Sequence, residues 1–294
     1  DLCQTFDAEA TFSLTAPDQI SVTAPVGGEF LSCNFATQEL LDAAVQEWIA
    51  TQTTNAEESL DGGCDPKVTY TGDTALDLCT GGDVTITWTI TDLCQTFDAE
   101  ATFSLTAPDV IEVGTPPANA EADACTFVDQ DAVNAAYQKW IDDTTAAAGA
   151  SITGGCSPQV AINADAAPAL CEGGVAKVTW TVSDLCETFD VSATWTLTPL
   201  PEILITLPEV SDLCNDDFPI ELTASYTGCV PGTLTVGPTN IRDREDGCAQ
   251  LADYVFTTPV DVCGNFDTKT LTVVREFDKY TNCETAFAKL ENEN

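Results

Sequence analysis

The sequence VTITWTITDLCQTFDAEATFSLTAPD, at residues 84–109, decides the fold of this chain. Its first half alternates apolar residues with threonine, and alternation resumes after a turn at DLCQTFD. This pattern is typical of a β-strand with one face in a core and the other in water. The segment therefore predicts two strands whose buried residues are Val84, Ile86, Trp88 and Ile90 in the first, and Ala101, Phe103 and Leu105 in the second.

The same segment shows that the chain is a tandem array. Residues 1–18 are identical to residues 92–109, and a drifted third copy, DLCETFDVSATWTLTP, begins at Asp184. Cysteines recur with a period of 92 residues: Cys33 as Cys125, Cys64 as Cys156, Cys79 as Cys171, and Cys94 as Cys186. A period longer than the roughly 20–50 residues of solenoid repeats indicates whole domains joined in series.

We predict a mainly β chain of tandem immunoglobulin-like antiparallel β-sandwich domains, two of them with an inserted α-helix. The predicted boundaries are 1–16 for the last strand of an upstream repeat, 17–107 and 108–198 for two helix-bearing repeats, 199–279 for a third domain without the helix, and 280–294 for the start of a downstream segment. The third domain should form its strands at ILITL, FPIELTASY, GTLTV, DYVFTTPV and TKTLTVVRE.

The inserted helix is predicted from apolar residues at helical spacing, after short strands at 20–23 and an acidic loop before Cys33. Thr37 is the expected N-cap of a helix of about four turns. A further strand should follow at 67–71. The buried helix face is predicted to hold Leu41, Val45, Trp48 and Ile49 in the first repeat, and Val133, Tyr137, Trp140 and Ile141, after Asp129 and Asp131, in the second.

The charge balance excludes several classes of partner. The chain has 48 Asp and Glu residues against 9 Lys and Arg, a net charge of -39. Phosphate-rich nucleic acid and anionic membranes would be repelled, and we expect no direct membrane insertion. Acidic clusters also make calcium the candidate cofactor. The nearest approaches to a calcium loop are residues 243–247 and the pair Asp129 and Asp131, but no individual site is assigned.

Fourteen cysteines and no histidine indicate a disulfide framework formed in an oxidising, extracellular compartment. In the third domain, Cys214 with Cys263 and Cys229 with Cys248 have equal index sums, as expected for two ends of one antiparallel strand pair. By analogy, the predicted pairs of the helical repeats are Cys33–Cys79, Cys64–Cys94, Cys125–Cys171 and Cys156–Cys186.

One alternative pairing stays open and another is disfavoured. Cys79 and Cys94 flank an eight-residue strand that spans roughly 26 Å, whereas bonded Cα atoms lie within about 7 Å. A Cys33–Cys64 bond across the helix is the rival. Cys3 and Cys283 remain, and we expect their partners upstream and downstream of this sequence.

Several motifs together resemble a known family. They are the helix with its tryptophan, GGC, CxGG, VTITWTITDLC and AEATFSLT, together with DVCGNFDTKTLTVVREFDKYTNCETAFA at residues 261–288. These are similar to the immunoglobulin-like and HYR-like tandem repeats of giant surface adhesins and gliding-associated proteins of Bacteroidota. The resemblance implies export by the type IX secretion system, a role in adhesion or motility, and no catalytic residues.

The predicted function is that of a structural stalk segment in a long extracellular filament or adhesin at the cell surface. Such a stalk would serve surface attachment, gliding, or contact with other cells or prey. The expected partners are neighbouring repeats of the same long chain, and identical chains in a multi-stranded fibre are a second candidate. The alternative is a calcium-dependent recognition module that binds glycan or protein on another cell. An enzyme is disfavoured because, without histidine, acid-base chemistry would depend on carboxylates alone.

Overall fold

In the computed structural model of the protein, the described residues are 4, 7–211, 213–214, 216–245 and 247–277. They form a mainly β chain with two long helices, which confirms the predicted fold class. The chain has two compact units, and the division between them runs through the predicted second repeat. Unit 1 comprises Asp1–Pro116, Ala147–Ala161 and Trp180–Val191; unit 2 comprises Pro117–Ala146, Ile162–Thr179 and Ser192–Asn294.

The first repeat is a four-stranded sheet with one helix. In chain order its elements are β1 (Gly28–Leu31), α1 (Gln38–Glu58), β2 (Lys67–Thr71), β3 (Gly82–Thr91) and β4 (Thr96–Thr106). The strands lie in the order β1-β4-β3-β2. The neighbours β2–β3 and β3–β4 are antiparallel, whereas the short edge strand β1 runs parallel to β4.

The core of the first repeat lies between α1 and one face of this sheet. The predicted alternation is confirmed, since the apolar residues of β3 and β4 are buried and the threonines face outward. Trp48 of α1 meets Trp88 edge-on, with ring centroids 5.7 Å apart. The indole N–H of Trp88 donates a hydrogen bond to Thr53 Oγ1, 2.9 Å away. The helix therefore covers the face that a second sheet would cover in a simple sandwich.

Helix α1 begins as predicted but is longer. The Thr37 side chain caps it by accepting a hydrogen bond from the backbone N–H of Leu40. The helix has 21 residues, nearly six turns at about 3.6 residues per turn rather than four. Polar residues also lie on its buried side. The Thr53 hydroxyl donates a hydrogen bond to the carbonyl of Ile49 and accepts one from the indole N–H of Trp88.

The second repeat follows the same plan. Its elements are β5 (Glu112–Val113), β6 (Ala120–Asp123), α2 (Gln130–Ala150), β7 (Ile152–Thr153), β8 (Gln159–Ala164), β9 (Gly174–Ser183) and β10 (Thr188–Thr198). The main sheet has the order β6-β10-β9-β8, and β5 pairs with β7. The predicted strand at 20–23 of the first repeat is reduced to a single bridge between Ser21 and Asp61.

Trp140 is predicted to be buried like its copy Trp48, and the structure bears this out only in part. Trp140 is only half-buried and stacks on Tyr137, with ring centroids 5.9 Å apart. Tyr137 and Trp195 occupy the positions that Val45 and Phe103 hold in the first repeat, and their rings contact each other at 5.5 Å. These larger side chains therefore occupy core positions next to Trp140.

The third domain has two sheets. Its strands are β11 (Ile205–Thr206), β12 (Leu213–Cys214), β13 (Leu222–Tyr226), β14 (Gly232–Val236), β15 (Thr239–Asp243), β16 (Ala249–Thr257) and β17 (Thr268–Glu276). The sheets β11-β13-β14 and β12-β17-β16-β15 enclose Tyr254 and Phe256. The described residues of this domain contain no helix. Across the described chain, the sequence did not predict β1, β6, β7, β12 or β15.

Candidate functional site

The candidate functional site is the connection between one repeat and the next, where the disulfide bonds lie. In unit 1, Cys33 bonds Cys156 and Cys79 bonds Cys186, with Cα–Cα distances of 5.0 and 5.3 Å. In unit 2, Cys125 bonds Cys229 and Cys171 bonds Cys263, at 5.3 and 5.7 Å. Each of these bonds joins a cysteine of one repeat to a cysteine of the following repeat or domain.

The predicted pairing within repeats is therefore wrong. The two cysteines of each predicted pair in the first repeat nevertheless lie at the same end of its sheet. Seven pairings that the sequence favoured or left open are not formed: Cys33–Cys79, Cys64–Cys94, Cys33–Cys64, Cys125–Cys171, Cys156–Cys186, Cys214–Cys263 and Cys229–Cys248. Cys248 is disulfide-bonded as well. Cys3 and Cys283 lie outside the described residues.

Sheet register explains this error. Leu31 pairs with Thr106, and Gly82 pairs with Leu105, so Cys33 and Cys79 both lie where β4 ends. We call this pair of positions the donor end of a repeat.

The other two cysteines of the repeat lie at the opposite end. Thr91 pairs with both Lys67 and Thr96, so Cys64 and Cys94 lie where β3 ends. We call these positions the acceptor end. Cysteines at one end can pair with each other or with the next domain in the series, and the period does not distinguish the two. The rival pairing Cys33–Cys64 named the correct two positions of the repeat but put them in the same repeat. In the structure Cys33 bonds Cys156, which is the copy of Cys64 one repeat later.

A single carboxylate orients the acceptor end of the second repeat. Asp184 accepts hydrogen bonds from the backbone N–H groups of Cys156, Cys186 and Glu187, at 2.6, 2.9 and 2.8 Å. Partial burial raises the pKa of Asp184, but these amide hydrogen bonds outweigh it and hold the pKa below its usual range. The aspartate therefore stays ionised and fixes the backbone of both bonded cysteines.

The glycine before Cys156 is required by the same arrangement. Gly155 has a φ of +66°, in the left-handed region, and its backbone N–H donates to the carbonyl of Asp109 at 2.8 Å. A Cβ on Gly155 would lie 2.7 Å from a carboxylate oxygen of Asp184 and 2.7 Å from Ile111. The GGC motif thus brings the cysteine close to the aspartate that orients it.

Asx turns orient the donor ends. Asp77 accepts hydrogen bonds from the backbone N–H groups of Cys79 and Thr80 at 3.0 and 2.8 Å, and these bonds lower its pKa, that of Thr80 contributing most. Asp123 accepts from the N–H of Cys125 at 2.9 Å. Acidic residues of the DLC and DxC motifs therefore act as local hydrogen-bond acceptors.

Noncovalent packing at the joint in unit 1 is modest. Leu185, next to the bonded Cys186, is half-buried and packs against the core of the first repeat. Beside it lies an open cavity of about 340 Å³ lined by Phe35, Ala36 and Cys156, among others. The disulfides thus bridge a contact that apolar packing fills only in part.

Three of the described cysteines are free thiols. Cys64 and Cys94, the acceptor end of the first repeat, are exposed free thiols, as is Cys214. Cys214 is the last residue of an edge strand that runs parallel to the last strand of its domain, and Cys33 lies two residues after the equivalent parallel edge strand of the first repeat. Its position is therefore that of a donor-end cysteine.

Two of the acidic residues considered for calcium accept hydrogen bonds within the chain. Asp129 caps α2 by accepting from the N–H of Ala132 at 2.8 Å, and Asp243 accepts from the Gln250 amide at 2.8 Å. Within the described ranges, no group of three or more His, Cys, Asp or Glu side chains is placed to hold a metal ion. No helix in that part of the chain combines the length and apolar character needed to span a membrane.

No protein-family model and no curated protein matches this chain. Among solved structures, it is similar to the I-band fragment I67–I69 from titin at 9% identity and a TM-score of 0.24, over 90% of this chain and 99% of that one. It is also similar to Drosophila N-cadherin EC1-4, at 10% identity and a TM-score of 0.24, over 74% of this chain and 69% of that one. The likeness to PcdhgB3 EC1-4 is at 6% identity and a TM-score of 0.26, over 88% of this chain and 75% of that one. At these TM-scores the likeness carries no functional argument.

Proposed function

We propose that this chain is a structural stalk segment of a long extracellular filament or adhesin that serves surface attachment, gliding or cell-cell contact. The observation that carries the proposal is the disulfide linkage between successive repeats. Four bonds of this kind indicate an oxidising, extracellular environment. The resemblance to Bacteroidota adhesin repeats supports export by the type IX system and display at the cell surface.

The bonds create a short covalent path for tension. Along the backbone, Cys33 and Cys263 are 230 residues apart. Through the bond Cys33–Cys156, the backbone from 156 to 171 and the bond Cys171–Cys263, the path contains only 15 residues. Fully extended, those lengths are about 800 Å and about 50 Å, at roughly 3.5 Å per residue. Tension therefore cannot draw the bypassed backbone out of its sheets.

The remaining features fit a long, passive extracellular chain. The net charge of -39 favours solubility of a long secreted chain. The carboxylates beside the bonded cysteines accept hydrogen bonds from backbone N–H groups, which is a structural role. The proposal therefore assigns no catalytic activity, and it places any adhesive or anchoring tip in other parts of the parent protein.

Single-molecule pulling of the full chain from its two termini tests the proposal. In the oxidised chain, the backbone between Cys33 and Cys263 should lengthen by no more than about 50 Å. After reduction it should lengthen by several hundred Å, because about 800 Å of backbone becomes available. A variant with Cys64→Ser and Cys94→Ser keeps the four bonds and should match the oxidised wild type. An oxidised chain that extends as far as the reduced chain would contradict the stalk function.

A further inference from the structure

The acceptor end of the first repeat is exposed, whereas its copy in the second repeat is engaged. Cys64 and Cys94 are free thiols, but Cys156 and Cys186 each bond a cysteine of the first repeat. The leucine of the same motif behaves in the same way. Leu93 is 87% exposed, whereas its copy Leu185 packs against the core of the first repeat.

The free acceptor end is already in the bonded geometry. Asp92 accepts hydrogen bonds from the backbone N–H groups of Cys64, Cys94 and Gln95 at 2.9, 2.8 and 2.7 Å. These bonds, led by those of the two cysteines, hold the pKa of Asp92 below its usual range. They match the hydrogen bonds of Asp184 around the bonded cysteines, so binding a partner would need no rearrangement of this backbone.

A second, independent feature identifies the partner. Residues 7–16 repeat the sequence of β4 without change, but no strand is assigned to them. Phe12 and Leu14 are 88% and 83% exposed, whereas their copies Phe103 and Leu105 are 0% and 4% exposed. The same apolar side chains are thus buried in β4 and exposed in residues 7–16. This difference fits a sheet in which residues 7–16 form the last strand and a further repeat supplies the other strands.

We propose that Cys64, Leu93 and Cys94 form a docking surface for the donor end of one further helix-bearing repeat, which precedes residue 1 in the same polypeptide and takes residues 7–16 as its last strand. The cysteine of that repeat that corresponds to Cys33 bonds Cys64, and the one that corresponds to Cys79 bonds Cys94. The inference extends the proposed stalk and rests on that function.

The chemistry is a thiol oxidation. Each new bond joins two thiol sulfurs and releases two protons and two electrons. A small-molecule disulfide such as oxidised glutathione accepts them and becomes two thiols. Two bonds per joint therefore consume two equivalents of the disulfide oxidant.

The test extends the full chain by one repeat. A copy of residues 17–91, labelled with ¹⁵N so that its peptides differ in mass from the original ones, is ligated before residue 1, and residues 1–16 then complete a repeat identical in sequence to residues 17–107. Both chains are oxidised with glutathione disulfide, alkylated without reduction and mapped by mass spectrometry. In the extended chain, Cys64 and Cys94 should be protected from alkylation and crosslinked to the two donor-end cysteines of the added copy.

The matched control carries serine at both donor-end cysteines of the added copy, and alkylation of Cys64 and Cys94 should return to the level of the shorter chain. A Cys64–Cys94 bond in the extended chain, or full alkylation of both thiols there, would overturn the proposal.

Hydrogen exchange at residues 7–16 reports on folding separately. Protected amides with reactive thiols would show that the added repeat folds but does not dock, and unprotected amides would show that residues 7–16 are not its last strand. Either result would overturn the proposal. The readout is thiol pairing and not extension under force, so these failures would leave the pulling experiment, and the stalk function that it tests, unaffected.

Discussion

Trp48 and its copy Trp140 offer a paired test of what holds a helix-bearing repeat together. Trp48 is 9% exposed, and its ring lies edge-on to Trp88 and Phe103 at 5.7 and 5.6 Å. Its indole N–H donates to the carbonyl of Val26 at 3.1 Å. Burial of about 200 Å² at about 25 cal/mol per Å² gives an upper bound of about 5 kcal/mol. Since core Trp→Ala changes cost about 3–5 kcal/mol, we expect Trp48→Ala to lie in that range.

Trp140→Ala should cost less than Trp48→Ala, about 2 kcal/mol, because the Trp140 ring is only partly buried and loses less apolar contact area. Hydrogen exchange in the oxidised full chain is the suitable assay, since a disulfide-linked multidomain chain does not unfold in one step. The amides of β3 report on the first change and those of β9 on the second, and each variant serves as the control for the other. Equal losses in the two repeats would refute the packing argument, as would a loss below about 1 kcal/mol for Trp48→Ala.

Two further predictions concern a helix cap and an ion pair. Thr37→Ala removes the acceptor for the N–H of Leu40, so the first turn of α1 should lose about 1 kcal/mol, measured as faster amide exchange there. The guanidinium of Arg242 lies 2.5 Å from the carboxylate of Asp253. Its hydrogen bond makes the largest contribution to lowering the pKa of Asp253 to about 2. The ion pair stabilises the fold fully above the unfolded pKa of about 3.9 and loses its effect as pH falls towards 2. Asp253→Asn should therefore lower the melting midpoint of the third domain at pH 7 and do so much less at pH 2; an equal deficit at both pH values would contradict the assignment.

Local pattern was sufficient to predict the long strands β3 and β4 and the start of α1, but not short edge strands such as β1 and β12. The alternation in β3 identifies its buried face because side chains along a strand point to opposite sides, and Thr37 precedes an apolar helical stripe, which marks an N-cap. The place of Trp140 was not predictable from its spacing. Its burial depends on the volumes of Tyr137 and Trp195, which belong to different elements and meet only in the fold.

The disulfide pairs were not predictable for a different reason. The strand lengths correctly separate Cys79 from Cys94, because these residues lie at opposite ends of β3. They leave two choices at each end, however: a bond within the repeat or a bond to the next one. Both choices satisfy the Cα–Cα limit for a disulfide. The contact between repeats decides between them, and the repeat period contains no information about that contact.

The structure assigns different tasks to the core and to the cysteines. The buried side chains of the first repeat's core all come from residues 20–105, and the second repeat adds only the partly buried Leu185. The fold of that repeat therefore rests on its own apolar core and not on Cys33 or Cys79. Those cysteines instead close loops of 123 and 107 residues, for which loop-closure entropy would contribute about 4–5 kcal/mol each if they acted independently. Oxidation thus sets the strength of the connection between repeats, while each core sets the fold of its repeat. A chain built in this way can be lengthened one repeat at a time, because the buried side chains of a repeat such as the first come from its own residues.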